Sequence, residues 1–368
     1  MSKVIEYYEY LHTIPEPAFT EVKTSSFLAD KLESFGYDVT RGVSGKTGVI
    51  GVHDSGVEGP VVAIRADMDS LVHIIDGETV FRHTCGHDGH SSMVLHTAER
   101  MIAEGRIKKG KLKILFQPAE EIGEGALSMI DGGAIDDVEW LFGCHVRPVE
   151  EARDGQASPA IYYSAAAKAV VNFNGMPAHG ARPHLGVNAI DAATAAVAAV
   201  NAIHLRPSEN YSVKATRFIC DAGVTNAIPA LATVTWDLRA QQNATMAELK
   251  AKFEPAVIAA AATVGATADV DITPGMPAAE LNDEATEILA RSIEEVLGAD
   301  GLLAPVYTPG AEDFFFYTVR KPELKAGFFG LGCDLEPGLH HPDMHFNIAS
   351  LENGVNIYVS VLDKLLGE

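Results

Sequence analysis

The order of apolar and amphipathic segments predicts an α/β protein: a larger domain with donor-rich strand ends and a βαββαβ sandwich inserted into it. Three observations carry this. First, four strand-like segments end in potential ligands: Val61–Ile64 runs toward Asp67 and Asp69, Lys111–Phe116 toward Glu120 and Glu121, Trp140–Cys144 toward His145, and Gly327–Gly332 toward the loop of His340, His341 and His345. In an open α/β sheet, ligands sit beyond the carboxyl ends of the strands. Second, the run His83-Thr-Cys85-Gly-His87-Asp88-Gly-His90 packs three imidazoles, a thiol and a carboxylate together. Third, the segments between residues 167 and 276 follow the order strand, helix, strand, strand, helix, strand, which is the split βαβ arrangement.

Taken in order, Lys3–His12 and Glu21–Phe35 show helical periodicity, and Gly36 stops the second helix. Gly48–His53 and Pro60–Ala66 are short apolar strands, and Ser91–Glu104 reads as a helix entered from the ligand-rich loop. In the inserted part, Lys168–Asn174, Tyr211–Cys220, Leu231–Arg239 and Ala268–Thr273 are strands. The Ala-rich stretches Val187–Asn201 and Thr245–Val264 are helices, and Asp283–Leu297 is a further helix beyond the insert. The expected boundaries are residues 1–166 plus 277–368 for the catalytic domain and 167–276 for an inserted lid or dimerisation domain.

A chain of 368 residues suits two cores better than one. Its 47% hydrophobic and 21% charged composition is that of a globular protein. A formal net charge of −22 argues against a nucleic-acid partner, since phosphate binding needs clustered Lys and Arg. The N-terminus has no apolar signal core and no stretch is long enough to span a bilayer, so a cytoplasmic protein without membrane contact is expected. The cysteines at 85, 144, 220 and 333 form no close pairs, which fits reducing conditions. Only Cys85 has ligand-rich neighbours; the other three read as core residues.

Two divalent ions account for the donor inventory better than one. A catalytic zinc takes about three protein ligands and an open position, whereas Cys85, His87, Glu121, His145 and His340 supply five donors. A thiolate can bridge two ions and offset part of their charge. Of the consecutive carboxylates, Glu121 ligates, and Glu120 is left to accept a proton from water, a task closed to a ligand. Asp69 or Asp88 can take the second N–H of a ligating imidazole. His83 and His90 read as histidines satisfied locally, or in the case of His90 as a helix start. In the insert, His179 lies in a turn-rich loop, Gly175-Met-Pro-Ala-His179-Gly-Ala-Arg182-Pro183, from which an imidazole can reach a substrate carbonyl. Asn226 offers an amide and Arg239 a fork suited to a carboxylate. Arg239 can alternatively hold a subunit or domain contact if its strand lies at a sheet edge.

Motifs along nearly the whole chain resemble the M20 metallopeptidase family, in its amidohydrolase branch with auxin-conjugate hydrolases, hippurate hydrolase and N-acetyl-diaminopimelate deacetylase. They are Leu11-His-Thr-Ile-Pro-Glu16, Arg65-Ala-Asp-Met-Asp69, Cys85-Gly-His-Asp-Gly-His90, Gln117-Pro-Ala-Glu-Glu121, His179-Gly-Ala-Arg-Pro183, Thr225-Asn226 with Ile228-Pro229, Gly310-Ala-Glu-Asp313 and Leu339-His340-His341-Pro342. The resemblance implies a two-metal exopeptidase-like catalytic domain with Cys85 as bridging ligand and His87, Glu121, His145 and His340 completing the site. It implies Glu120 as general base, His179 as the group polarising the scissile carbonyl, and Asn226 on the substrate or oxyanion side. Manganese, zinc, nickel or cobalt would fill the site.

The chain departs from the family after Asp69, reading Ser-Leu-Val-His-Ile-Ile-Asp76-Gly-Glu and reaching His83 several residues early. The donors survive this shortening, so it bears on substrate identity more than on reaction class. The expected activity is metal-dependent hydrolysis of the amide bond of an N-acyl amino acid by a soluble enzyme, a homodimer being possible. A metal-dependent dipeptidase or aminopeptidase-like exopeptidase is the alternative, and an inactive metal-binding protein the remote one. A nucleotide-binding enzyme is disfavoured because no Gly-rich phosphate loop opens a βαβ unit.

Overall fold

Strands buried on both faces need near-continuous apolar sequence, and the segments that run toward the candidate ligands have it. In the computed structural model, which describes residues 2–367, Val61–Asp67, Lys111–Gln117 and Trp140–Pro148 are buried along almost their whole length. The outermost residue at either end of the expected catalytic domain lies outside that range. With Lys325–Leu335 these strands form the parallel centre of a seven-stranded sheet. Its order is Asp38–Val43, Gly48–Asp54, Lys111–Gln117, Val61–Asp67, Trp140–Pro148, Lys325–Leu335, Ala157–Ser158. The outer strands pair antiparallel, so the sheet is mixed.

The described residues divide into two compact units. The first comprises the chain up to Tyr162, Glu280–Tyr307, and the chain from Asp313 onward. Here Lys3–His12, Val22–Phe35 and Leu351–Leu366 pack on the helix His87–Ala103. Val62, Ile64, Phe142, Phe329, Leu331 and Tyr358 lie in the core between this layer and the sheet.

The second unit, Tyr163–Ala279 with Thr308–Glu312, has its own core. Its four-stranded antiparallel sheet runs in the order Tyr211–Cys220, Leu231–Ala240, Ala165–Asn174, Thr267–Ile272. Alternate residues of Ala165–Asn174 are buried, as expected of a sheet covered on one face. Helices Ala189–Asn201 and Asn243–Thr263 pack on this sheet. The Asn188 side chain caps the first helix by accepting from the Ile190 N–H at 3.0 Å. Trp236 packs edge-on against Phe253 with ring centroids 5.3 Å apart.

Several local expectations are corrected. The helix expected from Ser91 begins at His87, so the second half of the ligand-rich run is helical. The strand from Trp140 continues to Pro148, placing His145 within it. The segment after Asp69 is a hairpin, Leu71–Ile75 paired with Glu78–Arg82, turning at Asp76-Gly77. Both turn residues have positive φ (53° and 84°), the requirement of a tight two-residue turn, and Asp-Gly meets it. Arg239 lies on an interior strand between two neighbours, not at a sheet edge. Cys220 is half-buried on an edge strand, because its neighbour on one side is missing, whereas Cys144 and Cys333 are core residues.

Candidate metal centre

Chain reversal after the central strands brings the donors together. Beyond Gln117, Ala119 takes a left-handed conformation (φ 55°), and its N–H donates to Glu21 Oε1 at 2.9 Å. That turn presents Glu120 and Glu121, with the Glu121 N–H donating to Asp69 Oδ2 at 3.1 Å. Gly86, at φ 87°, opens the helix that carries His87. A Cβ there would lie 2.5 Å from Val146 Cγ2, so the approach of this turn to the neighbouring strand requires glycine. His340 also has positive φ, 65°, and its N–H donates to Thr84 O at 2.7 Å, tying the C-terminal loop to the residue before Cys85.

Donor atoms of Cys85, His87 and His145 fall in one cluster, those of Cys85, Glu121 and His340 in a second, and those of His87, Glu120 and Glu121 in a third. Cys85, His87 and Glu121 thus each belong to two of these groups. Cys85 Sγ is 3.4 Å from His145 Nε2. His145 Nδ1 donates to Val146 O at 2.7 Å, which orients the ring with Nε2 toward Cys85. His87 Nδ1 meets Asp69 Oδ1 at 3.1 Å and Asp69 O at 3.0 Å, while its Nε2 faces Glu121 Oε1 at 3.7 Å, Asp67 Oδ2 at 3.8 Å and Glu120 Oε2 at 3.9 Å. His340 Nε2 lies 3.5 Å from Glu121 Oε2.

The arrangement fits divalent cations. His87 Nε2 and Glu121 Oε1 are buried with no hydrogen-bond partner among the described residues, and such a pair is costly unless something bridges it. Burial, then the nearby Asp69 carboxylate, pushes Glu121 up to about 7, although His87 opposes the shift. Burial and then Glu121 raise the Cys85 thiol well above its ordinary range. Burial lowers His145 well below the usual imidazole value, with His90 adding to the effect, so it is a neutral donor. Burial opposes it, but Asp67 and Cys85 raise His87 well above the usual imidazole value; two acids that resist ionisation and an imidazole that holds its proton are what a bound cation reverses.

Asp69 sits on His87 as expected of an outer carboxylate. Asp88 does not: its Oδ2 meets His12 Nδ1 at 2.6 Å, because the helix start turns it toward Lys3–His12. His90 is satisfied by Asp67 Oδ1 at 2.7 Å and by the Val146 N–H at 3.0 Å. His83 is buried, yet among the described residues neither ring nitrogen has a partner, contrary to the expectation of local satisfaction. His341 is exposed, its Nδ1 accepting from the Asp343 N–H, and belongs to none of the donor clusters.

Sequence reasoning gave no task to Arg65, which is 1% exposed beneath the centre. It donates to Gln117 Oε1 at 2.8 Å, Asp67 Oδ2 at 2.8 Å and Asp313 Oδ1 at 2.9 Å. The Asp313 N–H in turn donates to Glu120 Oε1 at 3.4 Å. The charged residue inside an apolar strand was the available signal.

In the second unit, His179 pairs with Ala227 across two short strands, so His179 and Asn226 lie on adjoining segments. Both are exposed, and His179 Nδ1 accepts from the Ala181 N–H at 3.0 Å. Arg239 binds Asp237 at 3.0 Å and Pro309 O at 3.3 Å, and lies in the four-stranded sheet, whereas His179 pairs in a separate two-stranded one.

The sequence model for peptidase family M20/M25/M40 matches residues 63–364. The chain belongs to this family. Among relatives, an IAA-amino acid hydrolase (ILR1-like 6) of Arabidopsis thaliana is 30% identical over 97% of this chain and 79% of its own. The hippurate hydrolase of Campylobacter jejuni is 28% identical over 97% and 94%. A dinuclear metal binding peptidase of family M20 from Bacillus subtilis shares the fold, with a TM-score of 0.80 at 23% identity, covering 99% of this chain and 97% of that one. Family membership together with the donor clusters makes the protein a metal-dependent enzyme of the amidohydrolase type. Among the described residues, no helix is long and apolar enough to cross a membrane.

Proposed function

We propose that this M20 enzyme hydrolyses the amide bond of N-acyl amino acids at a two-metal centre that Cys85, His87, Glu121, His145 and His340 would hold. The observation that carries the reading is the pair of orphaned donors, His87 Nε2 and Glu121 Oε1, beside the Cys85 and His145 donors. When bound, the ions would supply Lewis acidity toward the carbonyl and lower the pKa of water.

The chain's own groups supply the rest. Glu120 takes a proton from the attacking water and returns it to the nitrogen as the C–N bond breaks. Its Oε1 accepts from the Asp313 N–H at 3.4 Å, which holds the carboxylate at the edge of the donor clusters. Arg65 holds Asp313 and Asp67, and so fixes the base from below. Asp69 orients His87. His179 donates to the carbonyl oxygen as it gains charge, and Asn226 binds beside it. Arg239 is engaged with Asp237, so in this reading it contributes to carboxylate binding only by exchanging that partner.

The named relatives act on conjugates of amino acids, which supports the substrate class. A homodimer completes the reading. The edge strand Tyr211–Cys220, with Phe218 and Ile219 exposed, is a surface on which a second copy can pair. The test is hydrolysis of a panel of N-acyl amino acids and dipeptides after chelation and metal add-back. Metal-restored cleavage of the acyl compounds is expected. Preference for free dipeptides would move the protein to the exopeptidase alternative, and no metal-dependent cleavage of either would end the proposal.

A further inference from the structure

A cavity of about 380 Å³ in the first unit is lined by His12, Pro15, Phe81, Arg82, His83, Thr84, Pro342, Asp343 and Met344. That volume is of the size that holds a small molecule. None of the nine residues is a proposed metal ligand, although Thr84 O accepts from the His340 N–H and so joins the cavity wall to the ligand loop.

Part of its polar lining is unpaired. His83 is only 5% exposed, and among the described residues neither ring nitrogen has a partner, but both are sealed within the wall, so the groups that face the space are those of Arg82 and His12. Arg82 gives Nη1 to Pro342 O at 2.9 Å and stands 3.7 Å from the exposed Asp343. Among the described residues, its Nε and Nη2 make no hydrogen bond, leaving an open guanidinium edge of the kind that grips a carboxylate. His12 is held by Asp88 through Nδ1, which leaves its Nε2 available. Pro15, Phe81, Pro342 and Met344 supply the apolar remainder.

We propose that this cavity is a second ligand site, distinct from the metal centre, for a small carboxylate with an apolar or aromatic body, Arg82 and His12 binding the carboxylate and Phe81 and Met344 the body. The inference does not rest on the hydrolytic reading, because the donors and the apolar wall exist whatever the metals do. The same chemistry belongs to a free acid released by hydrolysis and to an intact acyl amino acid, and a competition arm separates them.

The probes are benzoate, benzamide and 4-bromobenzoate, used on the metal-loaded protein. Calorimetry should show saturable benzoate binding that Arg82→Gln weakens about tenfold, the loss expected for a charge-assisted contact. Arg82 is half-buried near the surface, and an unchanged unfolding midpoint would show that the variant folds. Benzamide should bind more weakly than benzoate. Bromine anomalous scattering should lie between Phe81 and Met344. Displacement of benzoate by N-benzoylglycine would identify an acyl amino acid as an occupant, and its failure to displace would assign the site to the free acid. Bromine at the Cys85–Glu121 cluster, no saturable binding, equal affinity for benzamide, or a full-strength Arg82→Gln would overturn the proposal.

Discussion

At the scale of single residues, the reading turns on two side chains. Glu120→Gln keeps the shape but cannot take a proton. Metal content measured by mass spectrometry should stay at the wild-type level while turnover falls by about 10²–10⁴; near-normal turnover in a fully loaded variant would remove Glu120 from the chemistry. Cys85→Ala removes a donor shared by two clusters, so metal content and activity should fall together. Two tightly held ions in that variant would refute Cys85 as a ligand. The sign of the pH effect on metal binding also follows. Glu121, at about 7, and the raised Cys85 thiol must lose protons before they can ligate. Metal affinity should therefore rise from pH 6 to pH 8, with proton release visible by calorimetry in buffers of different ionisation enthalpy. An affinity that falls over that range would exclude both groups as ligands. Cys85 and His87 were legible because soft donors stood two positions apart in one loop. The pairing of Arg65 with Asp313 was not, because 248 residues separate them and only the fold brings them within 2.9 Å. The unpartnered state of His83 was equally hidden, since sequence shows that a histidine is present and not what surrounds it.

Among the elements, the turn at Gly86 is the most exposed to test. An alanine there meets Val146 at 2.5 Å and adopts a left-handed backbone that costs about 1–2 kcal/mol. Gly86→Ala should lower the denaturant midpoint and weaken metal binding, because His87 is the next residue. A variant with wild-type stability and metal affinity would show that the turn relaxes freely. The central strands were legible from continuous apolar runs, and Tyr211–Cys220 and Asp283–Leu297 were read with the observed bounds. The hairpin Leu71–Arg82 was not, since its alternation is short and the family comparison drew attention to missing residues instead of to the Asp76-Gly77 turn. The start of the helix at His87 was missed for a related reason: Gly86, His87 and Asp88 carry no helical periodicity, and the turn is set by contact with Val146.

For the molecule as a whole, the donors come from four separate stretches of the first unit, so ions that bind them also fasten the sheet to its loops. Metal removal by a chelator should lower the thermal midpoint, and add-back should restore it. Each ion present at about a hundredfold over its Kd stabilises the folded state by about 2.7 kcal/mol. Unfolding that ignores chelation would mean that the donors do not hold metal in the native state. The described residues form two compact units, each with its own core.

The strand Lys325–Leu335 lies between Trp140–Pro148 and Ala157–Ser158 in the sheet, yet it is translated long after both. On the ribosome the second unit is complete first, whereas Trp140–Pro148 waits for its parallel neighbour for roughly ten seconds or more at ordinary elongation rates. During that interval an apolar strand edge stands open. Newly made chains are therefore expected to be open to chaperone binding and to misassembly until Lys325–Leu335 has been made.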